Sequence, residues 1–318
     1  MQATVLGASG FFGGHVVEQL KEAGHSVRAV VRATSDRSFL DSLEVEVQPS
    51  DYSDASLVDA MRESDIVYNC TADTRLHLDE EMRRTVEVDL TRRIIRAAAQ
   101  AEVGRYLQLS TIQVYGPLPD AAVDENFPCR PAHQYQRAAL EREDVVRSEA
   151  GQAGLPWVLV RPVTTTGARD SSLMANLYPA HRRGVFPIFG RSAQPISMVE
   201  ARDVGRAMVL LGQSPRAEER VFLVSGFDTT WPELKEALDR ATGRAARVIR
   251  LPVGVMKLAA RVLTGLTPKG KEPILHPLAV DTTSRPSRFD DARIRAIGYS
   301  PRFSIDDAVG AWLTWTRS

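Results

Sequence analysis

The feature that most constrains the fold is a glycine-rich turn directly after the apolar run of residues 3–6. The turn reads Gly7-Ala8-Ser9-Gly10-Phe11-Phe12-Gly13. Phe12, Val16 and Leu20 follow at helical spacing, and Gly24 is predicted to end that helix. Glycines allow the backbone to approach a pyrophosphate, and a helix N-terminus offers it partial positive charge. The motif therefore predicts a dinucleotide site, with an unliganded strand-to-helix turn as the alternative.

Short β-rich runs alternate with helical patterns through the first half of the chain, which predicts a parallel sheet with helices on both faces. Strands are expected near residues 4–6, 26–31, 45–47, 65–69, 106–109, 157–160 and 221–224, and later helices near 231–241 and 253–266. The predicted fold class is α/β, a Rossmann-type doubly wound parallel sheet with a small C-terminal substrate-binding annex. We expect a dinucleotide-binding core over 1–165, and an annex over 166–318 that returns one strand and helices to the core.

Composition limits the partners of a chain of 318 residues with 43% apolar and 25% charged residues. Its formal net charge is zero, so no overall field is expected to attract nucleic acid or an anionic membrane. The two cysteines, Cys70 and Cys129, indicate a reducing compartment. No apolar run reaches the roughly 18 residues of a membrane span, and no signal peptide is recognised, so a cytoplasmic location is expected. The six histidines lack metal-ligand spacing, and no metal is predicted.

The end of the second predicted strand indicates which dinucleotide is bound. Many NAD-binding proteins place an acid there to bind the adenosine ribose, whereas this chain has Arg32. Because a guanidinium suits a 2′-phosphate, NADP(H) is favoured over NAD(H), with a solvent-facing arginine as the alternative. Asp51 and Tyr52, after the third strand, are expected beside the adenine.

These features together resemble the extended branch of the short-chain dehydrogenase/reductase superfamily. That branch contains NAD(P)-dependent epimerases and dehydratases, dihydroflavonol-type reductases and 3β-hydroxysteroid dehydrogenases. The resemblance rests on the glycine motif, Asp51, Tyr135, Leu155-Pro156, Arg161-Pro162 and the segments 66–69, 109–116, 199–204, 290–293 and 297–301. The tail from Leu251 is most similar to the steroid-dehydrogenase members.

The resemblance implies roles for individual residues. Thr111 stands where the family has a hydroxyl that orients a substrate oxygen, and Tyr135 stands at the position of the proton donor or acceptor. Pro162 and Val163 would lie near the nicotinamide. The dinucleotide cleft would be lined by Thr71 and Ala72, and its phosphate-binding end by Gly7, Ser9, Gly10, Phe11, Phe12 and Gly13. A homodimer is also implied, formed through the helices of residues 87–101 and 135–150.

The chain departs from the family's Tyr-x-x-x-Lys motif, because Ala139 occupies the position four residues after Tyr135. Residues four apart share a helix face, so the usual ammonium is absent from the face that carries the phenol. Arg142 lies one turn beyond but is not expected to reach the ribose. Glu87 stands where the branch often has an asparagine.

The missing lysine biases the predicted chemistry. A free tyrosine has a pKa of about 10, and the ammonium would lower it to roughly 7, a difference of about 4 kcal/mol. A neutral phenol can protonate a carbonyl but is a poor base for alcohol oxidation. We therefore expect an NADPH-dependent reductase acting on a carbonyl or unsaturated centre of a small, apolar or cyclic substrate. The alternatives are a non-redox enzyme (acid–base cyclisation, elimination or epimerisation) and a non-catalytic dinucleotide-binding protein.

Some polar residues near the predicted site leave two interpretations open. His133 could reach a substrate or could start a helix. The hydroxyls of Thr164-Thr165-Thr166 could contact substrate or cap a turn. Ser110 has no acid–histidine pair and is not expected to be a nucleophile.

The predicted helix at residues 253–266 carries one apolar face. Val255, Ala259, Val262, Leu263 and Leu266 lie on it. This face could rest on a membrane, cover an apolar substrate or pack on the sheet, and the last two are favoured over the first.

Overall fold

The computed structural model describes residues 1–191, 193–268 and 271–317. Twelve strands are found in these ranges. They are Gln2–Leu6 (β1), Ser26–Val31 (β2), Glu46–Pro49 (β3), Ile66–Asn69 (β4), Arg105–Leu109 (β5), Trp157–Pro162 (β6), Thr164–Thr166 (β7), Val185–Phe189 (β8), Pro195–Glu200 (β9), Arg220–Val224 (β10), Phe227–Thr230 (β11) and Arg247–Leu251 (β12).

The same ranges contain thirteen α-helices. They are Phe11–Glu22 (α1), Ser38–Ser42 (α2), Asp54–Met61 (α3), Glu80–Arg84 (α4), Leu90–Gln100 (α5), Gln134–Val145 (α6), Leu173–Arg182 (α7), Ala201–Gln213 (α8), Trp231–Thr242 (α9), Val253–Leu266 (α10), Pro277–Thr283 (α11), Ala292–Arg295 (α12) and Ile305–Trp315 (α13). A π-helical segment, Thr85–Asp89, joins α4 to α5, and a second, Val146–Ala150, extends α6.

The central sheet confirms the predicted fold class. Its seven strands run in the order β10-β6-β5-β4-β1-β2-β3, and all neighbouring pairs are parallel. The order reverses beside β1, which is the point where ligands bind in open parallel sheets. All seven predicted strands belong to this sheet.

Side chains of the inner strands alternate between two hydrophobic cores. Val5 and Ala29 belong to the core on one face, whereas Leu6, Val30 and Val67 belong to the core on the other. Because both faces are covered, these strands appear in the sequence as nearly continuous apolar runs. This explains why their positions could be predicted.

The annex contains more β-structure than the sequence predicted. In addition to β10, it contributes a three-stranded sheet, β11-β9-β7, and a two-stranded sheet, β12-β8. These strands enclose a third core that includes Phe186, Met198, Trp231 and Leu234. Their short pairings depend on tertiary contacts, and no strong period-2 pattern marks them in the sequence. Two predicted annex helices, α9 and α10, are present with nearly the expected bounds.

The orientation of α10 differs from the favoured prediction. Its apolar residues Val255, Val262 and Leu266 are exposed, and Ala260 is its buried residue. The helix instead packs its opposite side on α11. Among the residues that the structure describes, no helix has the length and apolarity needed to cross a bilayer.

Candidate active site

The glycine turn joins β1 to α1 at the switch point of the sheet. Gly7 has a φ of +71°, and a side chain there would lie 2.9 Å from the Cys70 carbonyl oxygen. A Cβ at Gly13 would lie only 2.2 Å from the Gly7 carbonyl oxygen. The first and third glycines are therefore needed for a left-handed turn and for close packing of helix on strand.

The N-terminus of α1 is suited to an anion. Its N-cap is Gly10, which supplies no side-chain cap, and its first turn contains no acidic residue. The first amides of the helix thus lack the partners that a capping side chain would provide. Two features fit a dinucleotide pyrophosphate. The glycine turn has space that a Cβ would fill, and the first turn of α1 carries no negative charge.

Tyr52 supports the glycine turn from the end of β3. Its hydroxyl accepts a hydrogen bond from the Gly7 amide at 3.2 Å. The neighbouring Asp51 carboxylate accepts from the Ser53 amide at 2.9 Å, which lowers the pKa of Asp51. Burial raises the pKa of Tyr52, and the charge of Arg32, which is exposed after β2, partly opposes this rise. The structure therefore brings these three predicted residues to one end of the sheet.

Arg169 is an additional cation beside the same turn. Its Nη2 donates to the Ser9 carbonyl oxygen at 2.6 Å, and its guanidinium lies 4.3 Å from the centre of the Phe39 ring. Its Nη1 is buried without a hydrogen-bond partner. Sequence reasoning missed this residue because it lies some 160 positions from the glycine motif.

The other predicted cofactor-binding residues lie at the carboxyl ends of the central strands. Thr71 follows β4, where its amide donates to the Asn69 side chain at 3.0 Å, and the adjacent Ala72 is exposed. Pro162 ends β6, and the buried Val163 donates its amide to the Val224 carbonyl at 3.1 Å. The fold thus brings residues that follow or end β4 and β6 to the carboxyl-terminal side of the sheet, where the glycine turn lies.

Tyr135 lies in the first turn of α6, half-buried beside Thr111. The Arg83 guanidinium is 5.3 Å from the centre of its ring. Burial, followed by the Glu87 charge, raises the pKa of Tyr135, while Arg142, Arg83 and the Thr111 hydroxyl oppose this effect. The net result is a phenol that holds its proton more strongly than a free tyrosine.

A buried ion pair lies next to Tyr135, on the helix face that also carries Ala139. The Arg142 guanidinium binds the Glu87 carboxylate, and both side chains are at most 4% exposed. The Arg142 Nη1 that binds Glu87 also lies 3.5 Å from the Thr71 carbonyl oxygen. The Nε of Arg142 has no hydrogen-bond partner. Ala139 is also buried. Arg142 therefore comes closer to the dinucleotide cleft than the sequence led us to expect.

Ser110 belongs to the interior and not to the reactive surface. Its hydroxyl donates to Glu143 at 2.6 Å, and the same carboxylate binds Arg161 at 2.5 Å. All three side chains are buried. This network links β5, α6 and β6, and so fixes the helix that carries Tyr135.

A cleft of about 200 Å³ opens beside Ile112, the residue after Thr111, between the central sheet and the annex. Gln113, His133, Thr164, Lys257 and Arg285 are among its lining residues. His133 starts α6 and lies 3.2 Å from an Asp281 carboxylate oxygen, so it both begins a helix and faces the cleft.

The three threonines of β7 have separate roles. Thr164 lines the cleft, whereas Thr165 donates to the Val163 carbonyl and Thr166 donates to Asp170. The described part of the chain contains no group of three or more His, Cys, Asp or Glu residues that could hold a metal ion.

The fold and the glycine turn define a Rossmann-type dinucleotide-binding protein. The sequence profile of the NAD dependent epimerase/dehydratase family matches residues 3–225, more than half of the chain, and the protein belongs to that family. This agrees with the extended short-chain dehydrogenase/reductase resemblance.

Individual relatives are distant. Sterol demethylase protein B of Methylococcus capsulatus is 28% identical over 81% of this chain and 79% of its own length. The 4-hydroxy-2-methyl-3-oxo-4-farnesyl-3,4-dihydroquinoline-1-oxide ketoreductase of Stigmatella aurantiaca is 26% identical over 98% of this chain and 95% of its own. UDP-glucuronic acid 4-epimerase from Bacillus cereus, solved with NAD, has the same fold, with a TM-score of 0.80 at 20% identity and coverage of 100% and 99% of the two chains.

Proposed function

We propose that the protein is an NADPH-dependent reductase of a carbonyl, or a comparable unsaturated centre, on a small apolar or cyclic substrate. The environment of the Tyr135 hydroxyl is the observation that carries this proposal. Burial and the nearby Glu87 carboxylate favour the neutral phenol. A neutral phenol can donate a proton to a developing alkoxide but cannot accept one from an alcohol.

The proposed mechanism divides the work among a few side chains. Tyr135 donates its proton to the substrate oxygen, and Thr111 orients that oxygen through its hydroxyl. Arg142 and Arg83 stabilise the tyrosinate that remains, because their charges oppose the effect of burial. When bound, NADPH would supply the hydride for the substrate carbon.

For the cofactor, we propose that the glycine turn and the α1 N-terminus hold the pyrophosphate, with Arg169 as an added cation. Arg32 is proposed to bind the 2′-phosphate of NADP(H), because it is exposed at the end of β2 beside Tyr52. Asp51 remains the proposed adenine contact, and Thr71, Ala72, Pro162 and Val163 are proposed to line the nicotinamide end.

Two relatives support the proposed substrate class. One is named a ketoreductase of a farnesylated quinoline oxide, and the other is named for sterol demethylation. Both names describe largely apolar, cyclic molecules. Thr164 and the hydrophobic part of the cleft are proposed to contact such a substrate.

The test is loss of NADPH absorbance with a panel of cyclic and prenylated ketones. The parent protein should consume NADPH with some member of the panel, and Tyr135→Phe should lower kcat/KM by roughly a hundred- to ten-thousandfold. Tyr178→Phe, outside the site, is the control. Undiminished turnover by Tyr135→Phe would contradict the mechanism.

The same assay separates the alternatives. A non-redox enzyme would convert substrate with no net change in nicotinamide, and a binding protein would bind the dinucleotide and convert nothing. An epimerase is disfavoured because it must run hydride transfer in both directions, and one of these needs the tyrosinate.

A further inference from the structure

Positive charge is concentrated in one segment of a chain whose net charge is zero. Residues 240–271 contain eight lysines and arginines and no acidic residue. The segment covers the end of α9, β12, α10 and the chain that follows. Like charges in one segment repel each other, and an anionic partner would relieve that repulsion. The arrangement therefore indicates attraction to an anionic partner.

The outward face of α10, in the middle of that segment, is apolar. Val255, Leu258, Val262 and Leu266 follow at spacings of three and four residues, and so share one side of the helix. They are 62%, 63%, 52% and 77% exposed, respectively. Four large apolar side chains on one exposed helix face exceed the scattered apolar residues usual on a protein surface.

Further exposed apolar and basic residues lie in the same region. Ile249 on β12 is 41% exposed, and Ile274 after α10 is 94% exposed. Arg240 and Lys257 are paired with Asp306 and Asp281. The remaining basic residues include four exposed ones, which are Arg244, Arg247, Arg261 and Lys271.

We propose that this basic apolar surface, formed by the exposed side chains of residues 244–268 and 271–274, docks the protein on an anionic phospholipid membrane. An amphipathic helix with apolar residues outward and cations at its flanks lies in the headgroup region, with the apolar side chains among the acyl chains. Its 14 residues are too few to span the bilayer. The occupant is lipid and not a second copy, because symmetric pairing of this surface would bring basic segments together with few acids.

The surface of the protein that is proposed to bind the membrane lies beside the cleft. Lys257 of α10 and Asp281 of α11 line that cleft, and they bind each other at 2.5 Å. A protein docked through α10 therefore holds its cleft close to the lipid. Docking itself does not depend on the proposed reductase activity.

The test is co-sedimentation of the full chain with vesicles, without nucleotide or substrate. Vesicles of phosphatidylcholine with phosphatidylglycerol are compared with vesicles of phosphatidylcholine alone. The parent should bind the anionic vesicles and be released by high salt. Leu258→Asp with Val262→Asp should abolish binding, and Arg261→Glu should weaken it by roughly tenfold. Arg216→Glu, an exposed arginine outside the segment, should bind as the parent does.

Folding of each variant is checked by circular dichroism and thermal unfolding, and both substituted positions of the double variant are exposed. Failure of the parent to bind anionic vesicles at low salt would overturn the proposal. Equal binding by the double variant would also overturn it. A third outcome would overturn it as well. If the double substitution converts a dimer to monomers, and neither the dimer nor the monomer binds vesicles, α10 is an interface between two copies of the chain. Since the assay contains no nicotinamide, a negative result leaves the reductase proposal to its own test.

Discussion

At the scale of single residues, the proposed chemistry depends on the charges around the Tyr135 hydroxyl. Where the resembling family has one ammonium, this chain places the buried pair of Glu87 and Arg142, with Arg83 above the phenol ring. Glu87 also lies 3.9 Å from Arg83, so its charge offsets part of the effect of both guanidiniums on the phenol. The site therefore keeps cations near the phenol without turning it into a base.

Glu87→Gln tests this pair. The substitution removes the negative charge that helps to raise the pKa of Tyr135, so this pKa should fall. It also leaves the buried Arg142 without its partner, and the free energy of unfolding should fall by about 3–5 kcal/mol. Chemical denaturation measures the second effect. Glu141→Gln, which breaks an exposed pair with Arg84, should cost less than about 1 kcal/mol, and similar losses for both variants would contradict the assignment.

The binding of NADPH and NADH should distinguish the roles proposed for two arginines. Arg32→Ala should weaken NADPH binding by about ten- to a hundredfold and leave NADH binding unchanged, because only NADPH has the 2′-phosphate. Arg169→Ala should weaken both dinucleotides, because the pyrophosphate is common to them. Calorimetry measures the four dissociation constants, with the exposed Arg62→Ala as control. Equal effects of Arg32→Ala on both dinucleotides would refute its assigned role.

At the scale of elements, the β1–α1 junction depends on close packing. Gly13→Ala would put a methyl group 2.2 Å from the Gly7 carbonyl oxygen, so α1 must shift. We expect a loss of about 1–3 kcal/mol in unfolding free energy and weaker dinucleotide binding. Gly310→Ala in α13 meets no atom within 4 Å and should be neutral or stabilising by up to about 1 kcal/mol. Thermal unfolding compares the two, and a neutral Gly13→Ala would contradict the packing argument.

Elements could be predicted where local pattern and burial coincide. Ser26–Val31 is apolar because it is covered on both faces, and its predicted bounds match the structure. Thr164–Thr166 and Pro195–Glu200 pair across more than thirty residues and depend on contacts that no local pattern records. The apolar face of α10 was visible in the sequence, but which way it points is set by packing on α11.

The candidate site likewise contains residues that could be predicted from the sequence and residues that could not. The glycine turn, Thr111 and Tyr135 could be proposed from the sequence because their motifs are local. Arg83 and Arg169 could not, because each contacts a residue that is far away in the chain. Arg142 stood on the correct helix face, yet its pairing with Glu87 depends on how α6 packs against the helix that contains that acid.

At the scale of the whole molecule, the resemblance predicts a homodimer through the helices of residues 87–101 and 135–150. Sedimentation velocity should show two chains per particle. Ala99→Arg, at a half-buried position in α5, should give folded monomers, because it adds bulk and charge to the predicted interface. Gln213→Arg, at the exposed end of α8, is the control. A parent protein that sediments as a monomer at all concentrations would contradict this prediction.

The most direct test of the account is the titration of Tyr135 in the free protein. The difference in tyrosinate absorbance between the parent and Tyr135→Phe isolates this phenol from the other six tyrosines. Because burial and Glu87 raise its pKa, the difference should develop only above about pH 10. Alcohol oxidation should rise over the same alkaline range, while ketone reduction persists at neutral pH. A difference that appears near pH 7, with oxidation as fast as reduction there, would contradict the proposed acid.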